Sequence, residues 1–251
     1  MVSSTLFIMP NDSNANAIAP SRHNEHHFVS SDAVRDIVIG LADGLTVPFA
    51  LAAGLAGTLS ASHLVVIAGL AEIAAGSIAM GLGGYLASRG DSEHFAAEKR
   101  REELEVVERP EDEAAEIYEI FHQYGVSREA ATPVLESLQA NPKAYVDFMM
   151  RFELGLDEPA PGRAVRSAAT IAVSYIAGGA IPLAPYLLIG NIGYALRVSV
   201  VITLIALVVF GALKGRALGS SVLRSALQTV LIGGVAAGAA FELARLLNAH
   251  G

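Results

Sequence analysis

Long apolar stretches dominate the hydrophobic pattern of this chain. Five of them approach the ~20 residues that a helix needs to cross a bilayer core of ~30 Å. They cover roughly residues 37–58, 62–88, 167–188, 191–213 and 221–247. Each contains Gly, Ala or Pro at a frequency typical of membrane helices that pack closely on one another. The pattern therefore predicts an all-α, polytopic membrane protein with five transmembrane helices.

The segment between the second and third stretches is polar and carries helix signals of its own. Apart from Gly90, no helix breaker lies between Gly84 and Pro110, so we expect the second membrane helix to continue into this segment. At 1.5 Å per residue, a helix over residues 62–108 would be ~70 Å long, far more than a bilayer requires. Further helices are predicted to begin at Pro110, after Ser127 and after Asn141.

The basic residues predict the orientation in the membrane. They precede the first span, lie between the second and third spans, and connect the fourth to the fifth. Only Arg197 and Arg245 lie at the opposite ends of the spans. The positive-inside rule therefore places the N-terminus and the insertion in the cytosol and the C-terminus on the far side. Charge bias does not distinguish a lumenal from an extracellular far side.

Two carboxylates interrupt the first two spans. An acid at bilayer depth costs at least ~2.5 kcal/mol, so Asp43 and Glu72 are candidate groups of a cation or proton pathway. Because the two helices run in opposite directions, Asp43 and Met80 are expected at similar depth and Glu72 near the midplane. A lone methionine in a membrane helix is usually a packing residue. Met80 is a candidate for the pathway only because it is expected at the same depth as Asp43.

A G-x-x-x-G motif formed by Gly40 and Gly44 flanks Asp43. This spacing lets two helices approach closely, so a symmetric interface between two copies of the first helix is one interpretation. Further polar residues of the spans are interpreted as packing or boundary residues, namely Tyr175, Asn191 and Glu242.

Glutamates are concentrated on both sides of Pro110 in the insertion. If the chain reverses there into an antiparallel helix pair, Glu102 faces Glu116 and Glu105 faces Glu113. Four facing carboxylates repel one another unless a cation lies between them. The alternative is an ordinary solvated helix face, supported by an i, i+4 pair of Lys99 with Glu103 or of Arg101 with Glu105.

A later helix of the insertion adds two adjacent methionines and one acid. Met149 and Met150 lie within one turn of Glu153. Such methionines are usually core packing, but a thioether beside a carboxylate favours softer first-row ions over Ca²⁺ and Mg²⁺. The insertion is therefore predicted to bind divalent first-row transition metals, a class that includes Fe²⁺, Mn²⁺, Zn²⁺, Co²⁺ and Ni²⁺.

The predicted organisation has four segments. They are a disordered cytosolic tail at 1–31, transmembrane helices 1 and 2 at 32–89, a cytosolic helical metal-binding domain at 90–166, and transmembrane helices 3 to 5 at 167–251. The tail lacks the basic start and apolar core of a signal peptide. Composition supports a membrane protein, with 53% hydrophobic and 17% charged residues. The absence of cysteine excludes disulfides, thiolate zinc sites and iron–sulfur clusters.

The order of these motifs resembles the vacuolar iron transporter family. The resemblance rests on DGLTVPFALAAGL, on AEIAAGSIAMGLGGYLA and on a Glu-rich insertion followed by three more spans, and it covers roughly residues 32–250. It implies a homodimeric metal/proton antiporter of the vacuolar membrane that moves Fe²⁺, and often Mn²⁺, out of the cytosol. It implies that Asp43, Glu72 and Met80 line the membrane path. It also implies a cytosolic metal site formed by Glu102, Glu105, Glu113, Glu116, Met149, Met150 and Glu153.

The leading prediction is a secondary active transporter, which is not an enzyme. Two other classes of protein are alternatives to it. A membrane-anchored, ferritin-like iron oxidase would use the Glu-x-x-His spacing of Glu119 and His122, but such bundles need this motif on two helices and the chain has one. His122 is therefore interpreted as a partly buried histidine. A metal sensor or storage protein would need neither membrane acid. Bilayer lipid, metal ions and protons are the expected partners, with neither a resident cofactor nor a nucleic acid.

Overall fold

The structure, a computed structural model, describes residues 32–58 and 61–249, and within them it is all-helical. The helices are α1 (Asp32–Ala56), α2 (Ser62–Glu108), α3 (Pro110–Gln123), α4 (Arg128–Gln139), α5 (Pro142–Phe152), α6 (Arg163–Leu188), α7 (Ile192–Ala217) and α8 (Val222–Ala249). Five of them, α1, α2, α6, α7 and α8, are long and apolar enough to cross a membrane. The predicted fold class is confirmed. The tail at 1–31 lies outside the described residues.

The helix α2 is one continuous element of 47 residues that includes Gly90. Only its first part is apolar, so the same helix joins the membrane bundle (α1, α6, α7, α8 and the start of α2) to the insertion (the rest of α2 with α3 to α5). The predicted caps are also present, since the side chains of Ser127 and Asn141 accept hydrogen bonds from the amides of Ala130 and Ala144.

The helix α6 lies at the centre of the membrane bundle, where it packs extensively on α1 and α2 and also contacts α7. Gly178 and Gly179 allow this approach. A Cβ on Gly178 would lie 2.9 Å from the amide nitrogen of Leu45, and one on Gly179 would lie 2.8 Å from Cγ1 of Ile73. The small residues of α6 therefore bring the two acid-bearing helices onto one central helix.

The G-x-x-x-G motif of α1 faces the inside of the protomer. Gly40 and Gly44 are buried, and they pack on the backbone of α6 at Ile171 and Tyr175. The interpretation of this motif as a contact between two copies of the first helix is wrong. The physical reason is that a small-residue face suits any close helix neighbour, and the neighbour here is α6 of the same chain.

The outward faces of the spans are apolar. Large exposed side chains of this kind include Ile78 in α2, Val173 in α6 and Val235 in α8. In water such a surface would promote aggregation, whereas in a bilayer lipid chains cover it. The insertion buries its own apolar core instead, formed by Ile117, Leu135, Tyr145 and Met149.

A buried ion pair ties the start of α6 to α1. Arg163 donates to both carboxylate oxygens of Asp36, at 2.6 and 3.3 Å, and to Asp32 at 2.9 Å. Only 5% of the Asp36 side chain is exposed. The buried carboxylate of Asp36 keeps its hydrogen bonds and its counter-charge only while Arg163 is present.

We therefore expect Arg163→Ala to destabilise the protein by about 3 kcal/mol, because it leaves Asp36 buried and unpaired. The unfolding temperature in detergent should fall by roughly 10 °C. Arg166→Ala is the matched control, since Arg166 is exposed and donates only to the carbonyl of Pro161. Adding Asp36→Asn to Arg163→Ala should restore part of the loss. Equal unfolding temperatures for the two arginine variants would contradict the role given to the pair.

Candidate metal sites

Three glutamates of the insertion converge on one point, and we call them the acidic cluster. Glu102 from α2, Glu113 from α3 and Glu153 at the end of α5 each place a carboxylate oxygen within 4.8 Å of the other two. Glu102 is 1% exposed and Glu113 is 4% exposed, while Glu153 is exposed. Helix α5 positions the third acid because it packs along α2.

Burial and mutual repulsion strongly perturb these acids. Burial, and then the neighbouring Glu113 carboxyl, raise the pKa of Glu102 from 4.5 to about 8. Burial also raises the pKa of Glu113. Burial and then the charge of Glu116 raise the pKa of Glu153 to about 7. The cluster therefore holds protons at neutral pH that a cation would displace.

The remaining predicted acids line an open cleft beside the cluster. This cleft has a volume of about 500 Å³, and its walls include Glu105, Glu113, Glu116, Glu119 and Glu153. Glu105 also forms ion pairs with Arg101 at 3.4 Å and with Arg109 at 3.8 Å. The pair of Arg101 with Glu105 was predicted from the i, i+4 spacing and is confirmed, whereas Lys99, predicted to pair with Glu103, lies 3.5 Å from Asp147.

The predicted pairing of α2 with α3 is wrong at Glu102. Glu102 was expected to face Glu116, whereas its carboxylate lies within 4.8 Å of that of Glu113. Glu105 was expected to face Glu113, and these two acids line the same cleft. The prediction assumed a fully antiparallel pair after a tight turn. In the structure α5 makes more of the contacts with α2 than α3 does, so the α3 register is set by three packed helices. The carboxylates still gather on one side of the insertion.

The two methionines lie in different surroundings. Met149 is buried in the apolar core of the insertion, and Met150 is buried beside a second cleft lined by Phe95 and Asp147. Core packing therefore accounts for Met149 in this structure. Both remain within one helical turn of Glu153 in sequence.

Sequence analysis missed Tyr145. Its side chain is 2% exposed, and its hydroxyl has no hydrogen-bond partner in the described part of the chain. Burial, followed by the charges of Glu113 and Glu102, raises its pKa to about 12, so the phenol keeps its proton beside the cluster. A tyrosine flanked by apolar helix residues gives no sequence signal for such a position.

The chemistry of the cluster fits a divalent cation. One oxygen of Glu102 and one of Glu113 are buried with no partner among the described residues. Two oxygens that each lie about 2.1 Å from one ion are at most ~4.2 Å apart. The oxygens of the cluster lie within 4.8 Å of one another, so small side-chain movements would let all three bind one ion. Within the described residues, no other group of three acids, histidines or cysteines has this arrangement.

The membrane acids occupy a second site in the bundle. Glu72 and Asp43 are half-buried, and Oε1 of Glu72 accepts a hydrogen bond from the hydroxyl of Tyr175 in α6. The residue after Asp43, Gly44, packs on the backbone of Tyr175. Met80 is also half-buried, two turns further along α2 than Glu72. Tyr175 was interpreted as packing, and its contact with Glu72 shows that this interpretation was incomplete.

His122 does not join either site. It lies at the end of α3 and is exposed, so the expectation of a partly buried histidine is wrong. The reason is that α3 directs its buried face, Glu113, Ile117 and Ile120, towards the interior of the insertion. A position two residues beyond Ile120 falls on the opposite face.

Comparison with known proteins identifies the family. The model of the VIT family matches residues 34–245. The chain belongs to this family. "Vacuolar iron transporter 1" of Arabidopsis thaliana is 55% identical over 226 residues, which cover 90% of each chain. "Protein CCC1" of Saccharomyces cerevisiae is 38% identical over 228 residues, 88% of this chain and 70% of that protein. The resemblance found in the sequence is confirmed.

The raised pKa values predict that the stability of this VIT-family protein depends on pH when metal is absent. The folded state binds protons more tightly than the unfolded chain, so the stabilisation is complete below about pH 4.5 and is lost as pH rises through about 7 and 8. In a chelator, we expect the unfolding temperature to fall by several degrees between pH 6 and 8.5. Glu102→Gln should flatten this fall. An equally steep fall in the variant would assign it to other groups.

Proposed function

We propose that this protein carries divalent transition-metal ions, Fe²⁺ first, across the vacuolar membrane. The observation that carries the proposal is that one continuous helix, α2, bears Glu102 of the acidic cluster and Glu72 of the membrane site. A metal-binding group outside the membrane is thus rigidly joined to a carboxylate inside it. The name of the Arabidopsis thaliana relative supports iron as cargo and the vacuole as location.

In this proposal the two sites have different roles. The acidic cluster captures metal at low concentration, with Glu105 and Glu116 in the adjoining cleft and Met149 and Met150 in the turn of α5 that precedes Glu153. Asp43, Glu72 and Met80 then replace part of the water shell of the ion within the bundle. A cation in an uncharged span would have nothing in place of its water.

The proposed orientation follows the basic residues. The N-terminus and the insertion, 90–166, lie in the cytosol and the C-terminus lies in the vacuolar lumen. Metal then meets the acidic cluster first and leaves on the lumenal side. The working unit is a homodimer, with contacts other than the Gly40 and Gly44 motif, since that motif is used within the protomer.

Proton exchange is the proposed driving force. Desolvation favours the neutral form of a membrane carboxylate and a bound cation favours its charged form, so metal and proton compete for Asp43 and Glu72. An acidic lumen would protonate these acids, release the metal there and return protons to the cytosol. Membership of a transporter family also favours a carrier over an enzyme.

Flux in liposomes tests this function. In vesicles of purified protein with an acidic interior, Fe²⁺ uptake should be faster than without a pH gradient, and the interior should become more alkaline as metal enters. Mn²⁺ measured in parallel gives the metal preference. Equal uptake with and without the gradient, and no proton movement, would remove the antiport proposal but leave metal transport. The absence of any uptake would contradict both the antiport proposal and the metal-transport proposal.

A further inference from the structure

A buried tyrosine connects the helices that carry the two membrane acids. Tyr175 in α6 is 2% exposed, and its hydroxyl donates to Oε1 of Glu72 in α2. Asp43 in α1 precedes Gly44, and Gly44 packs on the backbone of Tyr175. Tyr175 therefore contacts both helices that carry a membrane acid.

Two glycines make room for this residue. A Cβ on Gly76 would lie 2.6 Å from Cζ of Tyr175, and a Cβ on Gly44 would lie 2.9 Å from its Cα. Both distances are too short for real Cβ atoms, so a larger residue at either position would displace the tyrosine. Gly76 of α2 leaves a slot for the phenol ring and its hydroxyl, and Gly44 of α1 lets the backbone of Tyr175 approach closely.

The two oxygens of Glu72 are in different situations. The hydroxyl of Tyr175 holds Oε1, while Oε2 is buried and has no hydrogen-bond partner among the described residues. A buried carboxylate oxygen without a partner is costly to maintain. A cation is the kind of ligand that would satisfy it.

We propose that Tyr175 is a positioning residue of the transport route, which holds Glu72 by one oxygen so that the other oxygen meets the passing divalent cation. This inference rests on the proposed function, in which Glu72 lines the route. Tyr175 remains a neutral donor and is not itself a ligand. Without the hydroxyl, the flexible side chain of Glu72 populates several rotamers, and apparent affinity falls by the fraction that is still competent.

The substitution Tyr175→Phe tests this role, because it removes one oxygen and keeps the ring in its slot. In liposomes containing the full-length protein, KM for Fe²⁺ should rise about tenfold, the scale expected for losing a hydrogen bond to a charged group. Vmax should change less than about twofold, since saturating metal draws Glu72 back into place. Tyr186→Phe is the matched control, a second buried tyrosine of α6 with no hydrogen bond to a carboxylate among the described residues, and it should keep the wild-type KM.

Two results would overturn the inference. A wild-type KM for Tyr175→Phe would show that the hydroxyl does not position Glu72. A lower Vmax with unchanged KM would indicate a purely structural role. Glu72→Ala separates this inference from the proposed function. If Glu72→Ala transports normally, the route assignment fails and the inference fails with it. If Glu72→Ala is inactive while Tyr175→Phe keeps its KM, only the inference fails.

Discussion

Metal flux should be almost abolished when either membrane carboxylate is removed. Asp43→Ala and Glu72→Ala each take away a carboxylate that can compensate a cation for its lost water. We expect a fall of at least about a hundredfold in initial Fe²⁺ flux, on the scale of two or more lost charge-assisted contacts. The measurement is uptake into liposomes by variants that elute like the wild type in gel filtration.

Glu242→Ala is the control for this experiment. Glu242 also lies in a predicted span, α8, but it is exposed and pairs only with Arg245, at 3.4 Å. Its removal should leave flux near normal. Met80→Ala should reduce Fe²⁺ flux more than Mn²⁺ flux, because the harder ion depends less on a thioether. Near-normal flux in both Asp43→Ala and Glu72→Ala would end the assignment of the route.

Removal of the acidic cluster should have a different effect from removal of the membrane acids. When Glu102, Glu113 and Glu153 are replaced together by Gln, tight metal binding to the full-length protein should be lost. Flux should fall mainly at low metal concentration, by about tenfold or more, because capture is impaired while the membrane route is intact. The metal-free protein should become more stable above pH 7, since buried like charges are gone.

The insertion offers a control with the same change in charge. Glu103, Glu108 and Glu111 lie on the same helices but are exposed, so their replacement by Gln should change binding and stability little. Calorimetry gives the number of bound ions, and flux against metal concentration gives KM and Vmax. Unchanged stoichiometry in the cluster variant would move the metal site elsewhere in the protein. A loss of flux at saturating metal would show that the cluster belongs to the route itself.

The sequence alone was sufficient for the elements of the fold. Five apolar stretches of membrane length, a polar segment without breakers before Pro110, and caps at Ser127 and Asn141 predicted every described helix, including the long α2. These features are local, since they depend on periodicity, capping and the length of a bilayer. The sequence also identified the acids worth testing, because a carboxylate inside an apolar span is costly and is rarely kept without a function. A dense run of glutamates on two neighbouring helices marked the second set.

Only the tertiary structure decided which side chains meet. Glu113 rather than Glu116 lies beside Glu102, and α5, which packs on α2, brings Glu153 to the same point. Gly40 and Gly44 serve α6 of the same chain, and Tyr175 reaches Glu72 through space made by Gly76. Such contacts join residues more than a hundred positions apart, and their register depends on how whole helices pack. Local sequence patterns give each helix its faces, but the choice of neighbour for each face is a property of the packed bundle.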